Sequence, residues 1–314
     1  MTTNSLVLKT AIGNYGNTKS IKDGTVKLPG ISFDFVEIIP VYKAFQPMVR
    51  QLAYDVSEMA FTTYLLAKSF NKPITALPIV LVRIFHHGTI MCHIQSGIKI
   101  PKDLEGRKVG IRAYGQTGPT WSRGILQNDY GVDLGKVTWV TFEDSHIGEF
   151  RDPKNAIRAP EGKKLDEMLI AGEIDAAISP HRINAPSVEP LFPRASDVEA
   201  AWFKKTGIYP INHIVVVKSE LALSHPWILG ELFSAFKSSK ELYLDRLNRK
   251  GPSTTEDELQ LQLRGIVGGD PLPYGVPANR KAIEAIARYA FEQKIVPKQY
   301  RVDELFDPAV MYLQ

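Results

Sequence analysis

The chain is 314 residues long, with 38 Lys and Arg against 34 Asp and Glu, a formal net charge of +4. At roughly 100–200 residues per domain this length makes one large or two ordinary domains, and 44% hydrophobic with 23% charged residues excludes disorder, collagen and coiled coil. The positive balance comes from mixed-sign surface, such as Lys163 and Lys164 beside Asp166 and Glu167; without clustered Lys and Arg interleaved with aromatics, no nucleic-acid partner is expected.

In chain order, the first ten residues hold an apolar stretch of three, Leu6 to Leu8, and no basic leader. A secretory signal wants about 7–15 apolar residues after positive charge, so the cytoplasm is the expected compartment, or the periplasm for a form whose signal has been removed. Residues 6–12 read as a strand, broken by Gly13-Asn14-Tyr15-Gly16, and 32–39 as a second strand. A helix is predicted over 45–54, with Pro47 in its first turn, then a short strand end at 55–57. Ser57 reads as the N-cap of a helix over 58–70, with Phe61, Leu65, Leu66 and Phe70 on one face. Residues 79–85 and 89–94 read as strands. The longest apolar run, 76–82, contains Pro78 and falls far short of the roughly 20 residues of a membrane span, so no membrane partner is expected. The single cysteine, Cys92, excludes intramolecular disulfides and multi-Cys metal sites. Strands over 108–112, 137–142, 174–178 and 214–217 alternate with helices over 119–130, 165–172, 226–247 and 281–293.

Such alternation predicts parallel sheets covered on both faces. Two alternating series give two α/β lobes, lobe I from 1–94 and 213–314 and lobe II from 95–212, with a ligand cleft between them at the carboxyl ends of strands.

Residues 165–178, following Asp103-Leu104-Glu105-Gly106-Arg107 and the strand at 108–111, are similar to type II periplasmic-binding-protein folds. More specific are Ser57-Glu58-Met59 with Thr63-Tyr64-Leu65, Leu77-Pro78-Ile79 running to Arg83-Ile84-Phe85-His86-His87, and Tyr114-Gly115-Gln116-Thr117 with Trp121-Ser122-Arg123-Gly124. Further along come Thr206-Gly207-Ile208-Tyr209-Pro210 leading to His213, then His225-Pro226-Trp227, and Gly269-Asp270 with Pro273-Tyr274-Gly275 and Asn279-Arg280. In order and spacing these resemble the 4,5-dihydroxyphthalate decarboxylase family over residues 7–308. That family also holds transporter-like binding proteins, so fold alone does not give activity. Two departures mark a subgroup: Phe85-His86-His87-Gly88 where members nearest the named decarboxylase tend to have Phe-Arg-His-Ser, and Asp144-Ser145-His146 with Glu149 before Arg151-Asp152-Pro153. They leave the exact aromatic acid open.

The resemblance implies loss of CO2 from a dihydroxylated aromatic acid. That chemistry needs an Arg clamp for the spectator carboxylate, a general acid and base working near neutrality, and apolar walls around the leaving group. Arg83 ends an apolar strand, where a solvated Arg is unusual; a structural ion pair is its alternative role. Arg112 and Arg182 follow second-lobe strands, where an open α/β sheet presents ligand groups, against a plain surface role. The stretch from Gly115 to Thr120 leads into a helix, so free N–H groups make an anion pocket there. Thr117 and Thr120 either cap that helix or, by the resemblance, orient the substrate.

His87 and His213 lie near the two predicted crossings between lobes and are the candidate proton carriers, each against the role of a satisfied structural histidine. Glu58 is favoured at a helix start by the dipole alone, and a catalytic role for it rests on the resemblance. Tyr114 and His146 join the substrate contacts with the resemblance. Tyr274 and Trp121 could stack on an aromatic ring or simply pack in the core. No His-x3-His spacing occurs, and His146 with Glu149 would share a metal only on a helix. The expectation is no organic cofactor and no assigned metal, a divalent ion remaining an option assembled from distant loops.

Taken together these residues describe an α/β protein of the type II periplasmic-binding-protein kind, a homo-oligomeric decarboxylase of a hydroxylated, phthalate-type acid. The alternative is a solute-binding protein that captures an aromatic carboxylate for a transporter.

Overall fold

Short strands rich in Val, Ile and Ala alternate with helices along residues 6–314, the part of the chain that this computed structural model describes. The order is β1 (Leu6–Ala11), α1 (Gly16–Lys22), β2 (Ile31–Phe35), α2 (Phe45–Gln51), β3 (Val56–Ala60), α3 (Phe61–Ser69), β4 (Ile74–Val82) and β5 (Ile90–His93). Then come β6 (Lys108–Ile111), α4 (Thr117–Tyr130), β7 (Thr138–Thr141), β8 (Ala156–Arg158), α5 (Leu165–Ile170), β9 (Ala176–Ile178), β10 (Val188–Pro190) and α6 (Ala195–Thr206). The chain ends with β11 (His213–Lys218), α7 (Ser219–Ser224), α8 (Ile228–Lys250), α9 (Thr255–Val267), α10 (Val276–Glu292) and α11 (Val302–Leu305). No described helix is long and apolar enough to cross a membrane.

These elements make two compact units. The first takes in the chain up to Ile84, Ile211–Glu284 and Tyr300–Gln314; the second is Phe85–Pro210 with Ala285–Gln299. The sheet of the first unit has the order β2-β1-β3-β11-β4, and that of the second β10-β5-β9-β6-β7-β8. The division differs from the one read off the sequence, which kept residues 85–94 with the first lobe. The reason is strand pairing: Ile90–His93 hydrogen-bonds antiparallel to β9 and β10, so it belongs to the second sheet.

The sheets are mixed rather than purely parallel. β1, β2 and β3 run parallel, while β11 runs antiparallel to both β3 and β4. β11 starts at the carboxyl ends of its neighbours, His213 standing opposite Ala60 and Val82, so it can only run backwards between them. Ile214 to Val217 are buried on both faces of the sheet, as a central strand of continuous β-branched residues requires.

A second correction concerns the helix predicted to start at Glu58. The Ser57 cap signal loses to strand pairing: Ser57 stands between Ala11 of β1 and Val216 of β11, and β3 continues to Ala60 before α3 begins at Phe61. Local capping contributes only about 0.5–2 kcal/mol, less than a buried strand loses with its ladder bonds unmade. Five helices escaped the sequence reading, α1, α6, α7, α9 and α11. α1 is seven residues long, and the first turn of α9 is Glu256, Asp257 and Glu258, which hides its apolar stripe. α6 carries mostly small and charged residues around Val198, Trp202 and Phe203.

In the second unit α4 is buried through most of its length, and Tyr289 of α10 lies against its glycine: a Cβ added at Gly124 would sit 2.1 Å from the Tyr289 ring. Because helix and ring are both held, Gly124→Ala is expected to destabilise the protein by about 1–3 kcal/mol, the usual cost of overpacking. Chemical denaturation of the variant against the wild type checks this.

Candidate active site

Glu58 is a closely constrained group of the first unit. It lies on β3 with its side chain fully buried, an arrangement that costs several kcal/mol unless the carboxylate is hydrogen-bonded or paired. Three donors meet it. The Gly13 N–H donates to Oε2 at 2.8 Å, the Tyr15 hydroxyl to Oε1 at 2.9 Å, and His213 Nδ1 lies 2.6 Å from Oε1.

Register explains the meeting. Val215 of β11 stands directly opposite Glu58, and His213, two residues back, shares its face of the sheet. A diagonal neighbour at that spacing is within reach of a long side chain. Gly13 and Tyr15 follow β1, which lies on the other side of β3. The cluster thus forms where β1 and β3 end and β11 begins.

With Nδ1 committed to Glu58, the His213 ring is fixed in one tautomeric orientation and presents Nε2. The ring also meets Phe45 edge-on, centroids 5.1 Å apart, and its side chain keeps 23% of its surface exposed. Tyr15 is held in the neutral, donating form: burial first, then the neighbouring Glu58 carboxylate, raise its phenol well above the usual range. A buried carboxylate, an orienting tyrosine and a partly exposed imidazole make a proton-transfer chain of the kind general acid–base catalysis uses.

Arg83 follows β4 directly, one residue past Val82, the partner of His213. It is 2% exposed, and its Nη1 donates to Asn279 Oδ1 at 2.9 Å. Asn279 in turn donates to the carbonyls of Pro273 and Gly275, so the guanidinium is held from behind. Of the residues singled out in the sequence, the first unit therefore brings Glu58 and His213 together and places Arg83 at the same end of the sheet. Tyr274 is elsewhere, in the core: its hydroxyl accepts from Asn17 Nδ2, Lys240 Nζ lies 4.7 Å over its ring, and Phe233 packs against it.

The second unit holds the other candidates. Arg112 follows β6 and pairs with Glu143 at 3.2 Å. It lines a small concavity with Gly115, Gln116 and His146. Residues 144–150 are not helical, so the condition for His146 and Glu149 to share a metal is not met. Among the described residues no three His, Cys, Asp or Glu side chains gather as a metal site.

Thr117 opens α4 and is buried, whereas the Thr120 hydroxyl donates back to the Gln116 carbonyl at 2.8 Å and so serves the helix itself. Tyr114 is likewise engaged, its hydroxyl donating to the Gln293 carbonyl and its ring lying 3.9 Å beneath the buried Arg123 guanidinium. Arg182 lies exposed in the loop after β9 and makes no hydrogen bond or ion pair among the described residues.

His87 differs most from its expected role. It begins a tight turn after Phe85-His86 and is 1% exposed, ringed by Tyr130, Phe192 and Trp202. Neither ring nitrogen has a hydrogen-bond partner among the described residues. This is packing of a neutral imidazole in an aromatic box, the structural role weighed against it at the outset. The residue the sequence reading passed over is Tyr15, read only as part of a glycine turn. Its one signal was an aromatic residue between two glycines directly after a strand.

Burial pushes the His87 imidazole down from 6.5 to about 4, against a weaker opposing pull from Asp129. The unfolded chain protonates this ring near 6.5 and the folded chain only near 4, so stability is full above that window and falls as pH drops through it. The loss amounts to about 3 kcal/mol at most. His87→Phe, which keeps the ring packing, is expected to lose much of the difference in denaturation midpoint between about pH 7.5 and about pH 5.

No protein-family model matches the chain. The 4,5-dihydroxyphthalate decarboxylase of Comamonas testosteroni is 28% identical over a 328-residue alignment that covers 97% of this chain and 97% of that one. The 4,5-dihydroxyphthalate decarboxylase of Pseudomonas putida is 29% identical over 214 residues, 64% of this chain and 83% of its own. Among solved structures, the desulfurization enzyme DSZB is similar at a TM-score of 0.58, with 13% identity over 98% of this chain and 97% of that one. The periplasmic aliphatic sulphonate binding protein SsuA of Escherichia coli gives 0.52, with 13% identity over 98% and 99%. The structural matches establish the fold as periplasmic-binding-protein-like α/β, and the sequence matches, one of them spanning both chains almost end to end, show this chain to be similar to 4,5-dihydroxyphthalate decarboxylases.

Proposed function

We propose that the protein is a carboxy-lyase that removes one carboxyl group, as CO2, from a hydroxylated phthalate-type acid. The observation that carries this reading is the Tyr15–Glu58–His213 chain, found in a sequence similar along its length to a decarboxylase. In the reaction a ring hydroxyl para to the leaving carboxylate supplies electrons, and the ring carbon bearing that carboxylate takes a proton. The C–C bond then breaks, its electron pair restores the aromatic ring, and CO2 departs. One proton is consumed for each CO2 released, and the hydroxyl proton returns as aromaticity is restored.

His213 suits the proton delivery. Its Nδ1 is anchored on Glu58, which stabilises the imidazolium, while Nε2 gives up the proton to carbon. Tyr15 holds the second contact to the same Glu58 oxygen and so limits how far that oxygen can turn from His213. Arg83, buried and braced by Asn279, is assigned the spectator carboxylate, because a planar guanidinium matches carboxylate geometry. Arg112, Thr117, His146 and Arg182 belong to the second unit and are given no step in this scheme. Self-association into a homo-oligomer accompanies this reading on the family resemblance.

The test is CO2 release and product absorbance with 4,5-dihydroxyphthalate, run with and without chelator. Turnover is expected; ligand-induced thermal stabilisation without turnover would replace this reading with the solute-binding one. His213→Ala should lower kcat by about 10²–10⁴-fold, the usual worth of a positioned general acid. Glu58→Gln, which no longer offers an anion to the imidazolium, should cost about 10²-fold or more.

A further inference from the structure

The reading of Tyr15–Glu58–His213 as the proton-moving chain leaves open what aims Tyr15, and the inference here rests on that reading. Tyr15 belongs to no strand. It sits in the turn between β1 and α1, flanked by Gly13-Asn14 and Gly16. Thr18 closes the turn locally, accepting from the Tyr15 N–H and donating to the Gly13 carbonyl. Those bonds shape the turn but do not tie it to the rest of the unit. Gly13 is tied through Glu58 itself.

The other end is gripped by residues some 240 positions away. The Gly16 N–H donates to the carboxylate of Glu256, 3.0 Å from one oxygen and 3.3 Å from the other. The ring of Tyr243, on α8, lies so close over Gly16 that an added Cβ would sit 2.0 Å from it. Both residues stand on a braced corner between α8 and α9. The Tyr243 hydroxyl donates to Asp257 Oδ1 at 2.9 Å, Arg246 donates to both Asp257 oxygens at 2.6 and 2.9 Å, and Ser253 adds its N–H and hydroxyl. Asp257 is 1% exposed and held well below the usual carboxylate range by these donors, Arg246 first. Tyr15, Gly16, Tyr243, Arg246 and Glu256 also line an open concavity of about 810 Å³. The turn therefore has solvent on that side; this corner holds it at Gly16, beside the ties of Asn14 to Glu37 and of Asn17 to the Leu81 carbonyl and Tyr274.

We propose that Glu256 is a positioning residue: from the braced α8–α9 corner its carboxylate fixes the Gly16 N–H, and through it the reach of the Tyr15 hydroxyl to Glu58 and the orientation of His213. Burial, helped by the neighbouring Asp257 charge, raises the Glu256 carboxyl above the usual range, against the opposing pull of the Gly16 N–H and Arg246. Glu256 touches no reacting atom in this scheme; its influence passes through the turn.

The experiment compares wild type, Glu256→Ala and Glu256→Gln. The glutamine keeps an oxygen acceptor for Gly16 and removes the charge. Three readouts are taken: kcat and KM separately, the hydrogen-bonded imidazole N–H resonance of His213 in the proton NMR spectrum, and the thermal midpoint, to correct for unfolded protein. The expected result is a fall in kcat of ten-fold or more in Glu256→Ala with KM within about two-fold, a weakened or shifted His213 resonance, and recovery of both in Glu256→Gln. A Glu256→Ala enzyme with wild-type kcat and an unchanged His213 resonance overturns the proposal. So does a Glu256→Gln enzyme no better than the alanine variant. Should the wild type itself fail to turn over, the decarboxylase reading falls, and the His213 resonance still decides whether Glu256 sets the chain.

Discussion

A carboxylate buried at the middle of a sheet sets the terms for the first unit. Glu58 has no water to solvate it, and an ion in that position is tolerated only when donors replace the lost hydration. The donors come from two other parts of the chain: a backbone N–H and a phenol in the turn after β1, and an imidazole at the start of β11. The requirement to satisfy one side chain therefore fixes how three segments meet. The same satisfaction leaves a single polar edge presented outward, the Nε2 side of His213. A structural need and a chemical capability are met by one set of bonds.

The backward course of β11 is what makes this possible. Entering between β3 and β4 at their carboxyl ends, it delivers His213 beside the last residues of both. Arg83 follows immediately on β4, so a buried guanidinium and a partly exposed imidazole stand at one end of one sheet. The end of an α/β sheet at which strands finish is also where free loops leave room for a ligand. The buried apolar run of β11, Ile214 to Val217, holds it in that central place.

Histidine shows how much environment decides. His87 and His213 read alike in the sequence, each beside an apolar strand near a predicted crossing. One is closed into a box of Tyr130, Phe192 and Trp202, where losing water favours the neutral ring. The other is anchored to a carboxylate and partly open to solvent. Nothing local to either residue distinguishes them, because the groups that do lie between 43 and 155 positions away along the sequence, from Tyr130 for His87 to Glu58 for His213.

Patterns with a period of two or close to four were legible from the sequence: the strands at β1, β6, β7 and β11, and the helices α4, α5, α8 and α10, whose apolar stripes report burial directly. So were Glu58, Arg83 and His213 as candidates, since they fall in the stretches on which the family resemblance rests. What only the tertiary structure decided was partnership. Glu58 looked like a helix start because Ser57 offers a cap, and it became a strand residue because ladder bonds on both sides outweigh one local cap. Tyr15 carried only a faint local signal, since a phenol in a glycine turn acquires its role from a carboxylate on the neighbouring strand. Periodicity is a property of neighbours in sequence and survives in a linear reading; hydrogen-bond pairing across a sheet depends on register, which the fold alone sets.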